Sequence, residues 1–540
     1  MKRLLVTALC ICISMNMVLA QQESDTTVTL PDVADDVRAV DNTQVHVPSP
    51  DLLTLPIPSV APALPQEKPI SIPESVLNAS DSIDTLSYQT QQETFGEIGV
   101  GASLWDGITA HLFLFRPIGT PSFTMRFSHE AQDGMAFHEA GTGFSYQKTS
   151  VEGHFQGGKE ESLSWSLLTA FTDQTNGLQG QSQDFFTISH RYLTCNPTFR
   201  FASGSFTAYS SLLVSSATLS LEGNQHPVSG DVRSQELGLI PTFRLEWIKD
   251  TWYLSLEGDY SFYGLINDPT MVANSDRMTQ QGELALISRF TLSSSLLTGT
   301  TVGIGTNSSL AWYIPFTLWI DAVPSDYVSF VIKGGLESQH QSLREIWELN
   351  PYTDIGPALP IDTHWFANGT IKIVPWNGVS LNIKTNWLHS YGDTGRSILM
   401  NNANIDSRGL YSYEVRSLQQ FNTHVEIRKY WQFTDALLGW ASQWLDVDKT
   451  RAFELYGSVT YRDRENRFGV TGTAAIPFDY DGVDIPRLDV QSYIMIGKGI
   501  RLIGDLEDLF IAFKGKYGRS IWEPYLEQGF QARLRIQFSL

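Results

Sequence analysis

The last eleven residues, Phe530-Gln-Ala-Arg-Leu-Arg-Ile-Gln-Phe-Ser-Leu540, alternate strictly between apolar and polar side chains. Successive side chains of a β-strand point to opposite faces, so this stretch predicts one apolar face and one polar face that carries two arginines. Such a strand is typical of a membrane barrel, which has lipid outside and water inside. Arg533 and Arg535 are therefore candidate lumen residues. The predicted lipid-facing side of this C-terminal assembly strand includes Phe530, Leu534, Ile536, Phe538 and Leu540.

The same period of two recurs upstream. In residues 251–262 the apolar positions begin with Trp252 and end with Phe262, and polar residues lie between them. Residues 453–476 contain two alternating runs separated by a charged turn, which predicts an antiparallel hairpin. A second hairpin is predicted within residues 365–387, because Asn-Gly at 377–378 suits a two-residue type I′ turn. The polar positions of its second strand, among them Lys384, are predicted to face the lumen.

The first twenty residues have the pattern of a bacterial secretory signal peptide. Two basic residues precede an apolar run that ends at Leu19, and cleavage is expected after Ala20. Two of the three cysteines lie within this run, so the mature chain would retain only Cys195. We therefore expect neither an intramolecular disulfide nor a cysteine-based zinc site.

Composition divides the rest of the chain into two parts. Residues 21–87 contain no aromatic side chain, nine prolines, and eleven acidic side chains against Arg38 and Lys68. Such a segment cannot bury enough apolar surface to offset its ordering entropy, so residues 21–91 are predicted to be a disordered, acidic periplasmic tail. Residues 92–540 contain all fourteen tryptophans and are predicted to form the barrel. The formal net charge of -21 argues against nucleic-acid binding, which requires a basic patch.

Two features favour a membrane barrel over tandem secreted β-sandwiches. Aromatic residues bracket many of the alternating runs, which fits the aromatic girdles at the two membrane interfaces of a barrel. Short turns also alternate with long polar connections, predicted at 173–183, 341–362, 390–408 and 431–451, which is the pattern of outer-membrane barrels. We predict an all-β fold, a transmembrane antiparallel β-barrel of about 22 strands within a range of roughly 18 to 24.

One segment inside the last of these connections has a helical pattern. Thr434 or Asp435 is a suitable N-cap, and Leu437, Trp440, Ala441 and Trp444 follow at helical spacing. Residues 433–446 are therefore predicted to form a short amphipathic helix packed against the barrel rim.

The sequence contains little that indicates catalysis. The eleven histidines form no metal-binding motif, and no nucleophile elbow, phosphate-binding loop or dinucleotide fingerprint is present. We expect no catalytic residue, no metal and no cofactor, and we do not expect an enzyme. The alternative is a barrel enzyme whose Ser/His/Asp site is assembled from distant strands.

The region before the terminal strand resembles the C-terminal end of TonB-dependent receptors. Residues 507–510 are Glu-Asp-Leu-Phe, where that family has a Glu-Asn-Leu-Phe-like corner, and a loop with Arg519, Pro524 and Gly529 follows. Asp508 replaces the usual asparagine, and the proline, glycine and arginine stand in a different order. The resemblance implies a 22-stranded barrel and a role in solute uptake. It also implies a folded plug domain much longer than the tail of this chain, so no ordinary plug is expected.

The tail contains a candidate energy-coupling box. Thr26, Thr27, Val28, Thr29 and Leu30 resemble the short extended segment through which such receptors pair with a Ton-type partner by strand addition. The alternative is that the whole proline-rich tail is only an extended spacer.

The sequence thus predicts an outer-membrane barrel for uptake or passage of solutes, with its tail in the periplasm. A passive porin and a surface structural or adhesive barrel are the alternatives. The expected partners are outer-membrane lipids, the barrel-assembly machinery and, through the tail, a Ton-type or other periplasmic protein, and no nucleic acid.

Overall fold

A computed structural model describes residues 94–539 of the 540-residue chain. The predicted signal peptide, the acidic tail with Thr26–Leu30, and Leu540 lie outside the described residues. The described part has gaps at 105–106, 118–120, 136–137, 160, 224–231, 250–251, 268–277, 311, 355–360, 377, 393, 400–404, 447–450, 480–483, 515–518 and 528.

A closed antiparallel barrel of 22 strands contains most of these residues. Each strand pairs with its neighbour in the chain, and the first strand pairs with the last, which closes the sheet. The predicted fold class and strand number are confirmed. The barrel strands are β1 (Phe95–Ser103), β2 (Ile108–Arg116), β3 (Ser122–Asp133), β4 (Ser145–Gly158), β5 (Leu163–Gly177), β6 (Phe185–Ser203), β7 (Phe206–Gly223), β8 (Val232–Lys249), β9 (Trp252–Asn267), β10 (Met278–Ser293), β11 (Leu296–Asn307), β12 (Phe316–Ser325), β13 (Val328–His340), β14 (Ile361–Trp376), β15 (Val379–Ser390), β18 (Gln419–Tyr430), β19 (Thr434–Leu445), β20 (Arg451–Arg462), β21 (Phe468–Asp479), β22 (Arg487–Gly497), β23 (Ile500–Glu507) and β26 (Gln531–Ser539).

Short elements outside the barrel lie in its longer connections. They are helices α1 (Leu343–Leu349) and α2 (Leu509–Lys514), and the hairpin strands β16 (Arg396–Leu399), β17 (Tyr413–Arg416), β24 (Ser520–Trp522) and β25 (Tyr525–Leu526). Within the described ranges, no helix has the length and hydropathy needed to cross a membrane.

The terminal strand β26 shows why these sequences form a membrane barrel. Leu534 is 54% exposed and Ile536 and Phe538 are similarly exposed, whereas Arg533 and Arg535 are 4% and 1% exposed. This burial pattern is the inverse of that in a water-soluble sheet, where charged side chains face solvent and apolar ones are buried. Apolar side chains are likewise exposed on the outward face of the other strands, as expected of a surface that a bilayer covers.

The two rims of the barrel differ in the length of their connections. At the rim where β1 begins and β26 ends, every connection has two to five residues, and we call it the short-turn rim. At the opposite rim the connections have four to 28 residues, and we call it the long-loop rim. Exposed aromatic rings lie at or beside the short turns, as in the interfacial girdles of outer-membrane barrels: Trp252, Tyr327, Trp376, Tyr430 and Trp431.

Both hairpins predicted from alternation are confirmed. β14 and β15 meet at the short-turn rim, and Gly378 has a φ of 74°, a left-handed conformation that favours glycine. β20 and β21 pair in register across the charged turn 463–467.

The predicted amphipathic helix at 433–446 is wrong. Residues Thr434–Leu445 form strand β19, which pairs with β18 on one side and β20 on the other. The long connection predicted at 431–451 is therefore also wrong. The segment fits both a helical and a strand period, because Leu437 and Leu438 are adjacent and Trp440 and Trp444 lie four positions apart. Backbone hydrogen bonding to the neighbouring strands favours the strand over the helix, since a gap in the barrel wall would leave backbone groups without hydrogen-bond partners in lipid.

A close approach of β12 and β13 makes Gly335 a sensitive position. A Cβ atom built there would lie 1.8 Å from the carbonyl oxygen of Phe316, and backbone cannot move aside as a flexible side chain can. We expect Gly335→Ala to destabilise the barrel by about 2 kcal/mol, measured by urea unfolding in detergent micelles. Gly472 is the matched control, since nothing lies within 4 Å of its Cβ position. Equal stability of the Gly335→Ala and Gly472→Ala variants would contradict this assignment.

Candidate functional site

The inner wall of the barrel is largely polar. Residues that pair across neighbouring strands point to the same face of the sheet. Because Arg535 points inward, the strand register identifies the other inward-facing residues around the closed barrel. By this register Lys384 faces inward, opposite Thr370 on β14 and His424 on β18. All three candidate lumen residues thus lie on the inner face. Their influence on solute preference stays a prediction.

Arg533 and Arg535 form ion pairs with β23 beside the closure of the barrel. Arg535 Nη2 lies 2.8 Å from Asp505 Oδ2, and Arg533 Nη1 lies 2.9 Å from Glu507 Oε1. All four side chains are less than a tenth exposed. A buried charge without a partner costs several kcal/mol, so each pair holds the closing strand against its neighbour.

Charged side chains are unevenly distributed along the inner wall. The half nearer the long-loop rim is predominantly acidic, which favours cationic over anionic solutes at that end. Lys148, Arg487 and Arg533 are the basic residues of the described strands in that half. Its acidic residues are Glu130, Glu236, Glu283, Glu337, Asp362, Glu454, Asp489, Asp505 and Glu507.

A row of cations lies in the opposite half of the wall. We define the cation belt as Arg289, Lys333, Lys372 and Lys384, on β10, β13, β14 and β15. Each lies four or five residues from the short-turn end of its strand, faces inward by register and is exposed. None has a carboxylate within 4.0 Å among the described residues.

The connection between β13 and β14 folds inward at the long-loop rim. Helix α1 begins after Ser342, whose hydroxyl accepts a hydrogen bond from Glu345 N, while the Glu345 carboxylate accepts one from Ser342 N. The backbone N–H of Leu343 donates to the carboxylate of Glu236 on the barrel wall, at 3.2 Å. A carboxylate at a helix N-terminus satisfies otherwise unpaired donors, so Glu236 anchors the helix to β8.

The apolar side of α1 packs against the wall. Leu343, Ile346 and Trp347 are at most 3% exposed. The Trp347 ring centroid lies 5.0 Å from that of His190 on β6, and His190 Nε2 lies 2.7 Å from the carbonyl oxygen of Pro351. The connection is therefore attached to the wall by packing as well as by hydrogen bonds.

Two further connections interlock with this one. Tyr352 and Tyr525 stack with centroids 3.6 Å apart and an interplanar angle of 1°. Tyr525 donates to Gly409 O at 2.5 Å, and Tyr411 exchanges backbone contacts with residues on both sides of Thr353. The three connections thus share one buried aromatic core.

A fourth connection joins them through Gln179. Its side chain donates to Leu526 O at 2.9 Å and accepts from Leu526 N at 2.8 Å, a reciprocal pair that mimics strand pairing. We define the loop assembly as residues 178–182, 341–354, 405–413 and 523–526. Its core and the inner faces of β6–β9 form one continuous apolar cluster at the long-loop rim.

The corner at residues 507–510 also has a structural explanation. Asp508 has a φ of 47°, a left-handed conformation that Asn and Asp adopt more readily than most residues. Arg519 donates to both carboxylate oxygens of Asp508, at 2.7 and 2.8 Å, and to the carbonyl oxygens of Ile485 and Pro486. Aspartate at position 508, where asparagine is usual, therefore provides the two carboxylate oxygens that accept these hydrogen bonds from Arg519.

The docking of α1 is expected to depend on pH through Glu345. Burial raises the pKa of Glu345 to about 7, with Glu236 and Glu348 adding to the rise and the Ser342 N–H and Arg396 opposing it. The docked carboxyl binds its proton more tightly than the undocked one, so docking is strongest below about pH 4.5 and weakens as the pH rises to 7. We expect hydrogen-exchange protection of α1, corrected for intrinsic rates, to be roughly 70-fold lower at pH 8 than at pH 5.

Glu345→Gln provides the control for this pH dependence. Glutamine keeps the capping-box acceptor but does not titrate. Protection of α1 in this variant should be the same at both pH values. A pH dependence that survives the substitution would assign the effect to another group.

Sequence analysis did not identify the loop assembly or the cation belt. The capping box Ser342-x-x-Glu345 was a recognisable helix signal, but the partners of α1 lie more than a hundred residues away. Of the predicted assembly face, Leu534, Ile536 and Phe538 are exposed on β26, and Phe530 precedes the strand. The described residues contain no group of His, Cys, Asp and Glu side chains that could hold a metal ion.

Comparison with known proteins identifies the barrel type. No family model matches the chain, and no curated protein matches its sequence. Solved structures do match. The ferric enterobactin receptor PfeA from Pseudomonas aeruginosa is 10% identical over 84% of this chain and 82% of its own, with a TM-score of 0.60. The siderophore receptor PirA from the same organism is 11% identical over 84% of this chain and 82% of its own, with a TM-score of 0.59. The FrpB iron transporter from Neisseria meningitidis is 9% identical over 83% of both chains, with a TM-score of 0.62.

These similar proteins are TonB-dependent siderophore receptors. At such low identity the likeness shows the fold alone. The resemblance found at residues 507–529 is thus confirmed for the fold of the whole barrel.

Proposed function

We propose that this protein resides in the bacterial outer membrane and takes up a solute through the barrel lumen. The observation that carries the proposal is the loop assembly, which lies at one end of a polar-walled barrel. Barrels of this size have a lumen wide enough for large solutes and therefore require a means of closure. The receptor fold of the similar structures supports the same class of function.

The orientation follows from the two rims. Outer-membrane barrels have short turns in the periplasm and long loops outside the cell. On this basis the loop assembly faces the exterior, and the N-terminal tail enters the periplasm beside the start of β1. The acidic wall below the loop assembly favours a cationic or neutral solute over a free anion at the entrance.

Energised uptake is the finer proposal. Residues Thr26–Leu30 would add a strand to a Ton-type periplasmic partner. A peptide spanning residues 21–33 should retain such a partner in a pull-down, and Val28→Pro should abolish retention, because proline cannot donate to the added strand. Retention that is unaffected by this substitution, or absent from both peptides, would favour a passive porin in which the tail is only a tether.

An adhesive surface barrel is less well supported. Adhesion would use long loops that extend from the rim, whereas Leu343, Ile346 and Trp347 of the β13–β14 connection are buried against the wall. The inward fold of this connection suits closure of a passage better than capture of a surface ligand.

Planar-bilayer recording tests the proposal. We expect the mature chain lacking residues 21–91 to form ion-conducting channels, and the full mature chain to conduct less. Normal heat-modifiability in gels must first show that both proteins are folded barrels. Folded barrels without conductance from either chain, and without conductance when the loop assembly is disrupted, would contradict a transport function.

A further inference from the structure

We propose that strands β5 to β8 rise above the bilayer and that their outward polar face binds the sugar headgroups of outer-leaflet glycolipids. The inference rests on the proposed outer-membrane location and orientation, and not on passage of a solute through the lumen. It assigns a partner to a surface on the outside of the barrel, opposite the loop assembly on the inside.

The length of these strands is the first observation. β5, β6, β7 and β8 contain 15, 19, 18 and 18 residues. A strand needs only about 9–11 residues to cross the hydrocarbon core of a bilayer. The closing strands β1 and β26 have nine residues each, so they span the core without excess length. One sector of the barrel wall is therefore much taller than a bilayer requires.

The outward apolar side chains locate the bilayer on these strands. On β8 the outward positions between Leu237 and Trp247 are apolar and exposed. On β6 the corresponding stretch is 193–201, and it includes the exposed rings of Phe199 and Phe201. Each stretch has about the length of one membrane crossing. Residues 185–192 of β6 consequently lie beyond the hydrocarbon core, on the side of the long-loop rim.

The two faces of the sheet exchange polarity beyond this band. Ile188, Tyr192 and Leu219 point inward, are at most 3% exposed and belong to the apolar cluster of the loop assembly. Ser189 and Arg191, which alternate with them on β6, point outward. Apolar side chains on the packed face and polar side chains on the other are the pattern of a sheet that faces water on one side. The outside of this sector therefore contacts a polar medium.

Cross-strand hydrogen bonds organise the outward side chains. We define the outer polar face as Asp173, Thr175, Ser189, Arg191, Ser216 and Gln235. Arg191 Nη2 donates to Asp173 Oδ2 at 3.2 Å. The hydroxyl oxygens of Thr175 and Ser189 are 2.8 Å apart, and Gln235 Nε2 donates to Ser216 Oγ at 2.8 Å. Hydroxyl and amide groups with one balanced ion pair suit the hydroxyls of a sugar better than an isolated phosphate.

The height of the polar surface favours a glycolipid over a phospholipid. Outward polar residues continue to Thr187 and Glu222, which pair near the long-loop ends of β6 and β7. Thr187 is six residues from Leu193, which corresponds to about 15 Å of height at the usual strand tilt. The headgroup layer of a phospholipid leaflet is only about 5–7 Å thick. A lipid that covers this surface must reach further, as the sugar chain of a glycolipid does.

Spin labels on β7 test where the bilayer ends. Val214 and Thr218 both point outward, opposite Leu239 and Gln235 of β8. We place single labels at Val214→Cys or Thr218→Cys in the full mature chain with Cys195→Ser, in phospholipid vesicles. The label at 218 should be relaxed mainly by a water-soluble nickel chelate, and the label at 214 mainly by oxygen, which concentrates in hydrocarbon. An equal oxygen preference at both positions would overturn the extension of these strands beyond the bilayer.

Heating experiments with purified lipopolysaccharide test the sugar contact. A ligand of the folded barrel stabilises it, so lipopolysaccharide with its core sugars should raise the midpoint temperature of the heat-modifiable form by several degrees. Lipid A, which has the acyl chains without the core sugars, should raise it much less. Equal shifts with the two lipids would assign the binding to the lipid anchor and overturn the proposal.

A pair of double variants locates the contact on the barrel. Asp173→Ala with Arg191→Ala removes both charges of the outer polar face, so neither is left unpaired. It should lose the additional stabilisation that the core sugars provide. The matched control is Glu465→Ala with Arg467→Ala, which removes an ion pair of the same 3.2 Å length at the short-turn rim and should keep that stabilisation.

Two results with these variants would overturn the proposal. One is an equal response of both double variants to the core sugars. The other is a dimer of the parent chain that only the Asp173→Ala, Arg191→Ala variant loses, which would assign the face to a second copy of the chain. Core-sugar stabilisation of a barrel that never conducts would uphold the inference and contradict only the transport function.

Discussion

Trp347→Ala is expected to release helix α1 from the barrel wall and to open the long-loop rim. Trp347 is 1% exposed, packs beside His190 and donates from Nε1 to Thr353 O at 3.1 Å. Removing a buried tryptophan side chain costs about 3–5 kcal/mol, which exceeds what the remaining contacts of a seven-residue helix are expected to supply. We expect large increases in the conductance of the chain lacking residues 21–91 and in hydrogen exchange of residues 343–349.

The control for this prediction is Arg344→Ala on the same helix. Arg344 is partly exposed and its main partner is Glu348 at 2.8 Å, an exposed pair of the kind worth less than about 1 kcal/mol. Arg344→Ala should leave both readouts nearly unchanged. Equal effects of the two substitutions, or faster exchange of α1 without any change in conductance, would contradict closure by the loop assembly.

Arg535→Met is expected to prevent correct closure of the barrel. The substitution leaves Asp505 with 5% side-chain exposure and without its cationic partner, and breaking such a buried pair costs about 3–5 kcal/mol. Arg535 also packs where β26 meets β1, because a Cβ on Gly101 would lie 2.3 Å from its Cγ. We expect a severe loss of heat-modifiable protein in the outer-membrane fraction.

The double variant Arg535→Met with Asp505→Asn separates charge from packing. Removing both charges should restore most of the assembly, since a neutral pair avoids the unpaired carboxylate. A single variant that assembles as well as the unmodified protein would show that the buried pair does not stabilise closure. A double variant as impaired as the single would assign the loss to packing at Gly101.

The sequence predicted the barrel because each strand carries its own evidence. In β26 the alternation of leucine, isoleucine and phenylalanine with arginine and glutamine needs no partner to be recognised. The segment 433–446 shows the limit of this approach, because Leu437 and Leu438 satisfy both a helical and a strand period. The segment forms a strand because its neighbours β18 and β20 need hydrogen-bond partners for their backbone groups. These neighbours are not visible in the local pattern of the segment.

The candidate site could be predicted only in part. Lys384, Arg533 and Arg535 were assigned to the inner face from local alternation, and the register places them there. The loop assembly depends on pairs such as Tyr352 with Tyr525 and Gln179 with Leu526, which are separated by more than 170 residues. The cation belt depends on similar distances, four or five residues, between each cation and the short-turn end of its strand. Neither relation exists within any local window of the sequence.

Thiol block at Lys384 tests most directly whether the lumen is the path of the solute. The background for this test is the chain that lacks residues 21–91 and carries Cys195→Ser and Trp347→Ala. In this background Lys384→Cys places a thiol on the inner face of β15. Ile427→Cys places a thiol on the outer face of the adjacent strand, β18. We predict that a bulky thiol reagent strongly reduces the current through the Lys384→Cys barrel and leaves that of the Ile427→Cys barrel unchanged. An unchanged current after complete labelling of Lys384→Cys would contradict passage through the lumen.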